Sequence, residues 1–95
     1  MSIGEGLETM FEVDLSPSAS EFYAAAGRPL ALKLARCFRH LEENPRRGNN
    51  IKRLKGEWKG YLRYRVGDWR VIYRIEDVGG RVKVVVIAHR REVYE

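Results

Sequence analysis

The sequence contains one cysteine, three prolines and no long run of apolar residues. A single cysteine excludes an internal disulfide and a thiolate metal cluster, and with them a disulfide-built secreted scaffold. Without an apolar stretch of about 20 residues there is no candidate membrane span. The N-terminus also lacks the basic and then apolar segments of a signal peptide. The expectation is therefore a soluble cytoplasmic protein with no membrane partner. No glycine-rich loop follows a strand and opens a helix, which excludes nucleotide binding of that kind. No serine or cysteine sits in a nucleophile elbow. His40, His89 and Cys37 lack the spacing of metal ligands. Paired carboxylates are missing from the second half, where Glu57 is only a weak acid–base candidate. Nothing here calls for a metal or a cofactor.

What is present fits one small domain over residues 1–95, with a single core. A hydrophobic content of 44% and an aromatic content of 11% argue against disorder. The net charge of +5 hides an asymmetry. Residues 1–45 carry four basic and seven acidic side chains, a net of −3, whereas residues 46–95 carry fourteen and six, a net of +8. Such a basic half points to a polyanion, nucleic acid first. Charge alone does not separate that from a solvated basic surface.

Residues 1–9, with Gly4 and Gly6, read as a loose lead-in. Phe11, Val13 and Leu15 alternate as one face of a strand. Ser16-Pro17 then gives an N-cap and a proline at the first helical position, with Gly27 as the stop. Pro29 opens a second helix, whose apolar stripe is Leu30, Leu34, Cys37, Phe38 and Leu41. Cys37 is thereby a core residue, while Lys33, Arg36 and Arg39 face water. Asn44-Pro45 ends that helix, and the two helices form a hairpin. Residues 46–60 read as a basic, turn-rich connection anchored by Ile51, Leu54 and Trp58. Three strands follow: Tyr61–Val66, Trp69–Glu76 and Arg81–His89. Gly67-Asp68 and Asp77–Gly80 supply the turns. The order is β-α-α-β-β-β, an α+β fold with an antiparallel sheet packed on a helical hairpin.

Alternation assigns the strand faces. Leu62, Tyr64 and Val66 belong to the core, as do Trp69, Val71, Tyr73 and Ile75, and Val82, Val84, Val86 and Ala88. The opposite face then carries Arg63, Arg65, Arg70, Arg74 and Lys83, with His89 at its end. Like charges on one small sheet repel unless an anion bridges them. Arginines suit phosphate because a guanidinium donates in pairs and keeps its proton. The competing explanation pairs each arginine with an acid, and only Asp68, Glu76 and Asp77 are available in the first two of these strands and their turns. The ending His89-Arg90-Arg91-Glu92-Val93-Tyr94 adds a candidate acid or base in His89 and a stacking or proton-exchanging group in Tyr94. Its plainer explanation is that Val93 and Tyr94 close the core edge.

Tyr61-Leu-Arg-Tyr-Arg-Val-Gly-Asp-Trp-Arg-Val-Ile-Tyr-Arg-Ile75 and Val85-Val-Ile-Ala-His-Arg-Arg-Glu-Val-Tyr94 together resemble the RelE/ParE superfamily of toxins. Asn44-Pro45 and Lys52-Arg-Leu-Lys-Gly56 add to the likeness, which covers roughly residues 10–95. The resemblance implies a RelE-like fold and a type II toxin that cleaves mRNA in the ribosomal A site, without a metal, through attack of the 2′-hydroxyl. By position it implies Arg70, Arg90 and Tyr94 as catalytic. Arg63 and Arg65 fall where the best-known members place paired lysines, and His89 is a further catalytic candidate. Lys52, Arg53, Lys55, Arg74, Lys83 and Arg91 are the implied RNA contacts. Arginine is a poorer general base than lysine, which leaves the base open between His89, an arginine and Glu57. Implied partners are a RelB-like antitoxin, mRNA on the ribosome with 16S rRNA contacts, and operator DNA only through the antitoxin. The alternatives are a ParE-like gyrase inhibitor and an inert member of an antitoxin complex.

Overall fold

Strand β1 (Glu12–Leu15) leads into helices α1 (Pro17–Ala25) and α2 (Arg28–Glu43) in the computed structural model, which describes residues 10–93. Four strands follow, β2 (Ile51–Arg53), β3 (Leu62–Val66), β4 (Trp69–Glu76) and β5 (Arg81–His89). Short 3-10 turns occupy Gly56–Trp58 and Arg90–Glu92. The strands form one sheet in the order β1-β5-β4-β3-β2, and both helices pack on one of its faces. The α+β layering is the one the sequence predicts. The lead-in over residues 1–9 and the end of the chain, Tyr94 and Glu95, lie outside the described residues.

Local signals act as expected in most places. The Ser16 hydroxyl accepts from the Ala19 amide at 3.1 Å, capping α1. Leu34, Cys37 and Leu41 of α2 are buried, with Leu30 and Phe38 packed beside them. Burial alone pushes the Cys37 thiol up, away from thiolate chemistry. Gly67, at φ +60°, opens a two-residue hairpin turn of the type that glycine favours. Gly27 acts differently from the expectation. It takes ordinary extended geometry as the N-cap of α2 rather than a left-handed stop to α1.

Three features depart from the sequence reading. First, β1 runs parallel to β5, so the sheet is mixed rather than antiparallel. β1 covers the otherwise open edge of β5, the helical hairpin carries the chain from there to β2 at the opposite edge, and the register sets Glu12 opposite Arg81 and Asp14 opposite Lys83. Second, part of the connection over residues 46–60 is a strand. Ile51, Lys52 and Arg53 pair with β3, a segment too short for alternation to show. Third, β5 carries a bulge. Ile72 pairs with Val86 but Tyr73 pairs with Val84, leaving Val85 as the extra residue. The bulge exchanges the faces beyond it, so Ile87 enters the helix-side core whereas Val86 and Ala88 turn outward. The Ser16 hydroxyl donates to the Val85 carbonyl at 2.7 Å, so the helix cap also satisfies the bulge.

The outward face has a core of its own. Leu54, Ile72 and Val93 are buried together there, flanked by Trp58, Tyr61, Val86 and Ala88. Two of the three anchors expected in residues 46–60 serve this second cluster. The third, Ile51, packs on the helix side. Between sheet and helices, fully buried Tyr73 donates its hydroxyl hydrogen to the Pro45 carbonyl at 2.7 Å, tying the end of α2 to the central strand. Burial raises that phenol well above its ordinary pKa. Tyr73→Phe leaves a buried carbonyl without its partner. It should lower unfolding stability by about 1–3 kcal/mol, measured by urea denaturation with an unchanged m value.

Candidate nucleic-acid interface

Two rungs of the β-ladder concentrate positive charge on the outward face. Lys52 lies opposite Arg63, and Arg65 lies opposite Arg70 on the next rung of the same face. Directly opposite residues in a sheet are about 4.5–5.5 Å apart at Cβ, so like charges here repel. The backbone carbonyls nearby hold the guanidiniums in place. Arg63 Nη1 donates to the Asn50 oxygen at 2.6 Å, which also accepts from the Arg65 amide at 2.9 Å. Arg70 Nη1 donates to Gly67 and Trp69 oxygens at 3.0 and 3.1 Å, and its side chain is largely buried against the hairpin turn. Carbonyl acceptors orient a guanidinium without cancelling its charge, which is the preorganisation an anionic transition state exploits.

Arg90 joins this end of the sheet. Its amide donates to the Asp68 carbonyl at 2.8 Å, and its Nε lies 3.7 Å from the Asp68 carboxylate. The 3-10 turn that carries it is fixed by His89 and Glu92. His89 Nδ1 accepts from the Arg91 amide at 3.2 Å, while Glu92 Oε1 accepts from the His89 amide at 3.1 Å. With Nδ1 accepting, the neutral imidazole carries its proton on Nε2. The bulge in β5 also turns His89 to the helix side, opposite Trp69, with ring centroids 5.3 Å apart. The sequence placed His89 on the arginine face. In the structure it supports the turn from behind.

The outward surface is not one continuous field of cations. Arg74 and Lys83 sit on a common rung beyond the Leu54–Ile72–Val93 cluster, away from Arg65 and Arg70. Arg74 is ion-paired with Glu76, and Lys83 Nζ lies 3.1 Å from Asp14 Oδ2. Arg81 adds bonds to Asp14 at 2.9 Å and to Glu12 at 3.0 Å. The pairing explanation thus holds at this end of the sheet, using acids from β1 that only the parallel contact supplies. Lys52, Arg53, Lys55 and Arg91 are exposed, although Arg53 lies on the helix-side register. Glu57 is exposed in its 3-10 turn. Tyr94 falls outside the described residues. Sequence reasoning missed Asn50, whose contribution is a backbone oxygen and leaves no trace in residue type. It missed Asp14 for want of the strand order.

Chemically, Arg63, Arg65, Arg70 and Arg90 gather charge suited to a phosphodiester. Among the described residues no group of histidines, cysteines or acids is arranged to hold a metal ion. None of their helices is long and apolar enough to cross a membrane.

The family model described as the ParE toxin of type II toxin–antitoxin systems, parDE, matches residues 13–94. The chain belongs to that family. It is a type II toxin on the RelE/ParE fold. An archaeal RelE–RelB complex from Pyrococcus horikoshii OT3 contains a chain superposing with a TM-score of 0.75 at 19% identity, covering 88% of this chain and 99% of that one. A YoeB/ParE toxin from Agrobacterium tumefaciens gives 0.74 at 23%, covering 83% and 98%. A mutant of the E. coli toxin RelE in the free state gives 0.71 at 18%, covering 87% and 86%. At these identities the solved structures show a common fold. A search of curated protein sequences finds no match.

Hydrogen bonds first from Lys83 and then from Arg81 hold the Asp14 carboxyl below the usual carboxylate range. A depressed pKa contributes stability above the unfolded value of about 3.9, and that stability is lost as pH falls through the folded value. Asp14→Asn should therefore be less stable than wild type at neutral pH, with the difference disappearing in acid below the carboxylate range. Urea midpoints across a pH series measure it.

Proposed function

We propose that this toxin is a ribosome-dependent endoribonuclease that cleaves mRNA in the A site without a metal. The observation that carries the reading is the cluster of Arg63, Arg65, Arg70 and Arg90 at one end of the outward face, with Tyr94 four residues after Arg90. In the reaction the 2′-oxygen attacks the adjacent phosphorus and the P–O5′ bond breaks. The products are a 2′,3′-cyclic phosphate and a 5′-hydroxyl, so the 2′-oxygen loses a proton and the 5′-oxygen gains one. The pentavalent intermediate gathers negative charge on its non-bridging oxygens, where preorganised cations act most strongly. Arg70, fixed against the hairpin turn, contacts those oxygens, with Arg63 and Arg65 beside it. Arg90 approaches from the 3-10 turn, and Tyr94 stacks on a base or protonates the leaving 5′-oxygen. His89 keeps the turn in place, since its Nδ1 is committed to the Arg91 amide. The arginines remain charged and act through stabilisation rather than as bases.

The same surface explains the implied partners. A RelB-like antitoxin neutralises the toxin by laying an acidic segment over the arginine cluster, and operator DNA is reached only through that antitoxin. One of the similar structures is itself a RelE–RelB complex. In this reading the exposed Lys52, Lys55 and Arg91 extend the contacts toward mRNA and 16S rRNA, and the protein works in the cytoplasm.

A second reading, a gyrase inhibitor without chemistry, draws on the family description itself. Translation in vitro with primer extension on the mRNA separates the two. Arg70→Ala should reduce A-site cleavage by roughly 100- to 1,000-fold, the loss typical of one transition-state donor. Arg70→Lys should recover little, because an ammonium cannot reproduce paired guanidinium bonds. Unimpaired translation together with gyrase-dependent DNA cleavage would sink the nuclease reading.

A further inference from the structure

Two cations outside the proposed reaction stand together on α2. The first half of the chain has only four basic residues against seven acids, yet two of the four, Lys33 and Arg36, stand one turn apart on α2 and line the same groove. That groove, of about 620 Å³, runs between α2 and the β3–β4 turn, and Asn50, Arg65 and Arg90 complete its polar rim. Lys33, Arg36, Arg65 and Arg90 are all exposed. Asp68 is the one carboxylate lining it, and Arg90 already faces that group at 3.7 Å. None of Lys33, Arg36 and Arg65 forms an ion pair with a described residue.

Arg65 connects this groove to the arginine cluster. At its level the neighbouring segment is Asn50, whose oxygen accepts from the Arg65 amide at 2.9 Å. Arg65 stands opposite Arg70 in the ladder and also lines the groove. The two basic regions meet at one residue.

We propose that the groove is a second phosphate-binding stretch, which takes the RNA backbone around the end of the sheet as it leaves the outward face. The proposal rests on the RNA reading of that face. An open channel rimmed by cations suits a passing phosphodiester chain, each phosphate needing one cation and no enclosed pocket. An acidic peptide fits less well. Specific peptide binding depends on an apolar anchor in a pocket, and Cys37 and Val66 of the groove wall are 1% and 6% exposed, already consumed by the core.

The test uses the full chain and a short fluorescent single-stranded RNA, methylated at every 2′-oxygen so that it binds without being cut. Affinity is read by anisotropy between about 50 and 200 mM salt, where counterion release dominates. Lys33→Ala/Arg36→Ala should weaken binding roughly tenfold and flatten the salt slope by about 1.4, at ~0.7 per lost phosphate contact on a single strand. Both side chains are exposed and alanine is the best helix former, so the variant should fold. Arg39→Ala removes a charge from the same helix outside the groove, and should change affinity less than about twofold. A double variant no weaker than Arg39→Ala, alongside a weakened Lys52→Ala/Arg63→Ala, would overturn the groove and leave the outward-face reading standing. Wild-type protein that fails to bind the RNA would overturn both. Loss of binding to a poly-glutamate peptide, with RNA affinity unchanged, would make the groove a protein contact and also overturn the proposal.

Discussion

Everything in this fold is arranged around a central strand that has no solvent on either side. Val71, Ile72 and Tyr73 are consecutive and fully buried, which in a strand means that both faces of the sheet are covered. The helical hairpin covers one face. For the other, a loop and the segment that follows β5 supply the cover. Leu54 from the β2–β3 connection and Val93 from the C-terminal segment close over Ile72. That cover divides the outward surface into two groups of cations. At one end Glu76 pairs with Arg74, and acids from β1 pair with Lys83 and Arg81. At the other, backbone carbonyl oxygens orient the guanidiniums of Arg63 and Arg70.

Much of this was legible in the residues, and what was not has identifiable causes. The helices announced themselves through Ser16-Pro17 and the stripe from Leu30 to Leu41, and the β3–β4 hairpin through Gly67-Asp68. The facing of β3 and β4 followed from alternation, so Arg63, Arg65 and Arg70 were placed together correctly. The facing of β5 was not recoverable. Val84-Val-Val-Ile-Ala88 is apolar at both parities, so nothing in it marks the extra residue. Every assignment beyond Val85 was consequently inverted, His89 among them. The charge pairing of Lys83 was equally hidden, because its partner Asp14 is 69 residues away and reaches it only through a parallel edge contact that no local pattern specifies.

The candidate site shows the same division. Residue type identified the guanidiniums, whereas their orientation comes from the backbone at Asn50, Gly67 and Trp69. An arginine's chemistry can be read from its letter. Its direction depends on carbonyl groups that any residue could supply, and these become visible only once the turn and the strand register are known.

Val93 is the last buried side chain in the described sequence, and it closes the outer cluster. During synthesis the helices and the meander can therefore be complete while Ile72 still lies open on one side. The outward face is closed only when the segment that carries Val93 has emerged and folded back. The turn fixed by His89 and Glu92 brings Arg90 to its place in the same movement. Completion of the core and assembly of the arginine cluster are thus one event, and a chain interrupted before Val93 lacks the buried contact that closes the fold.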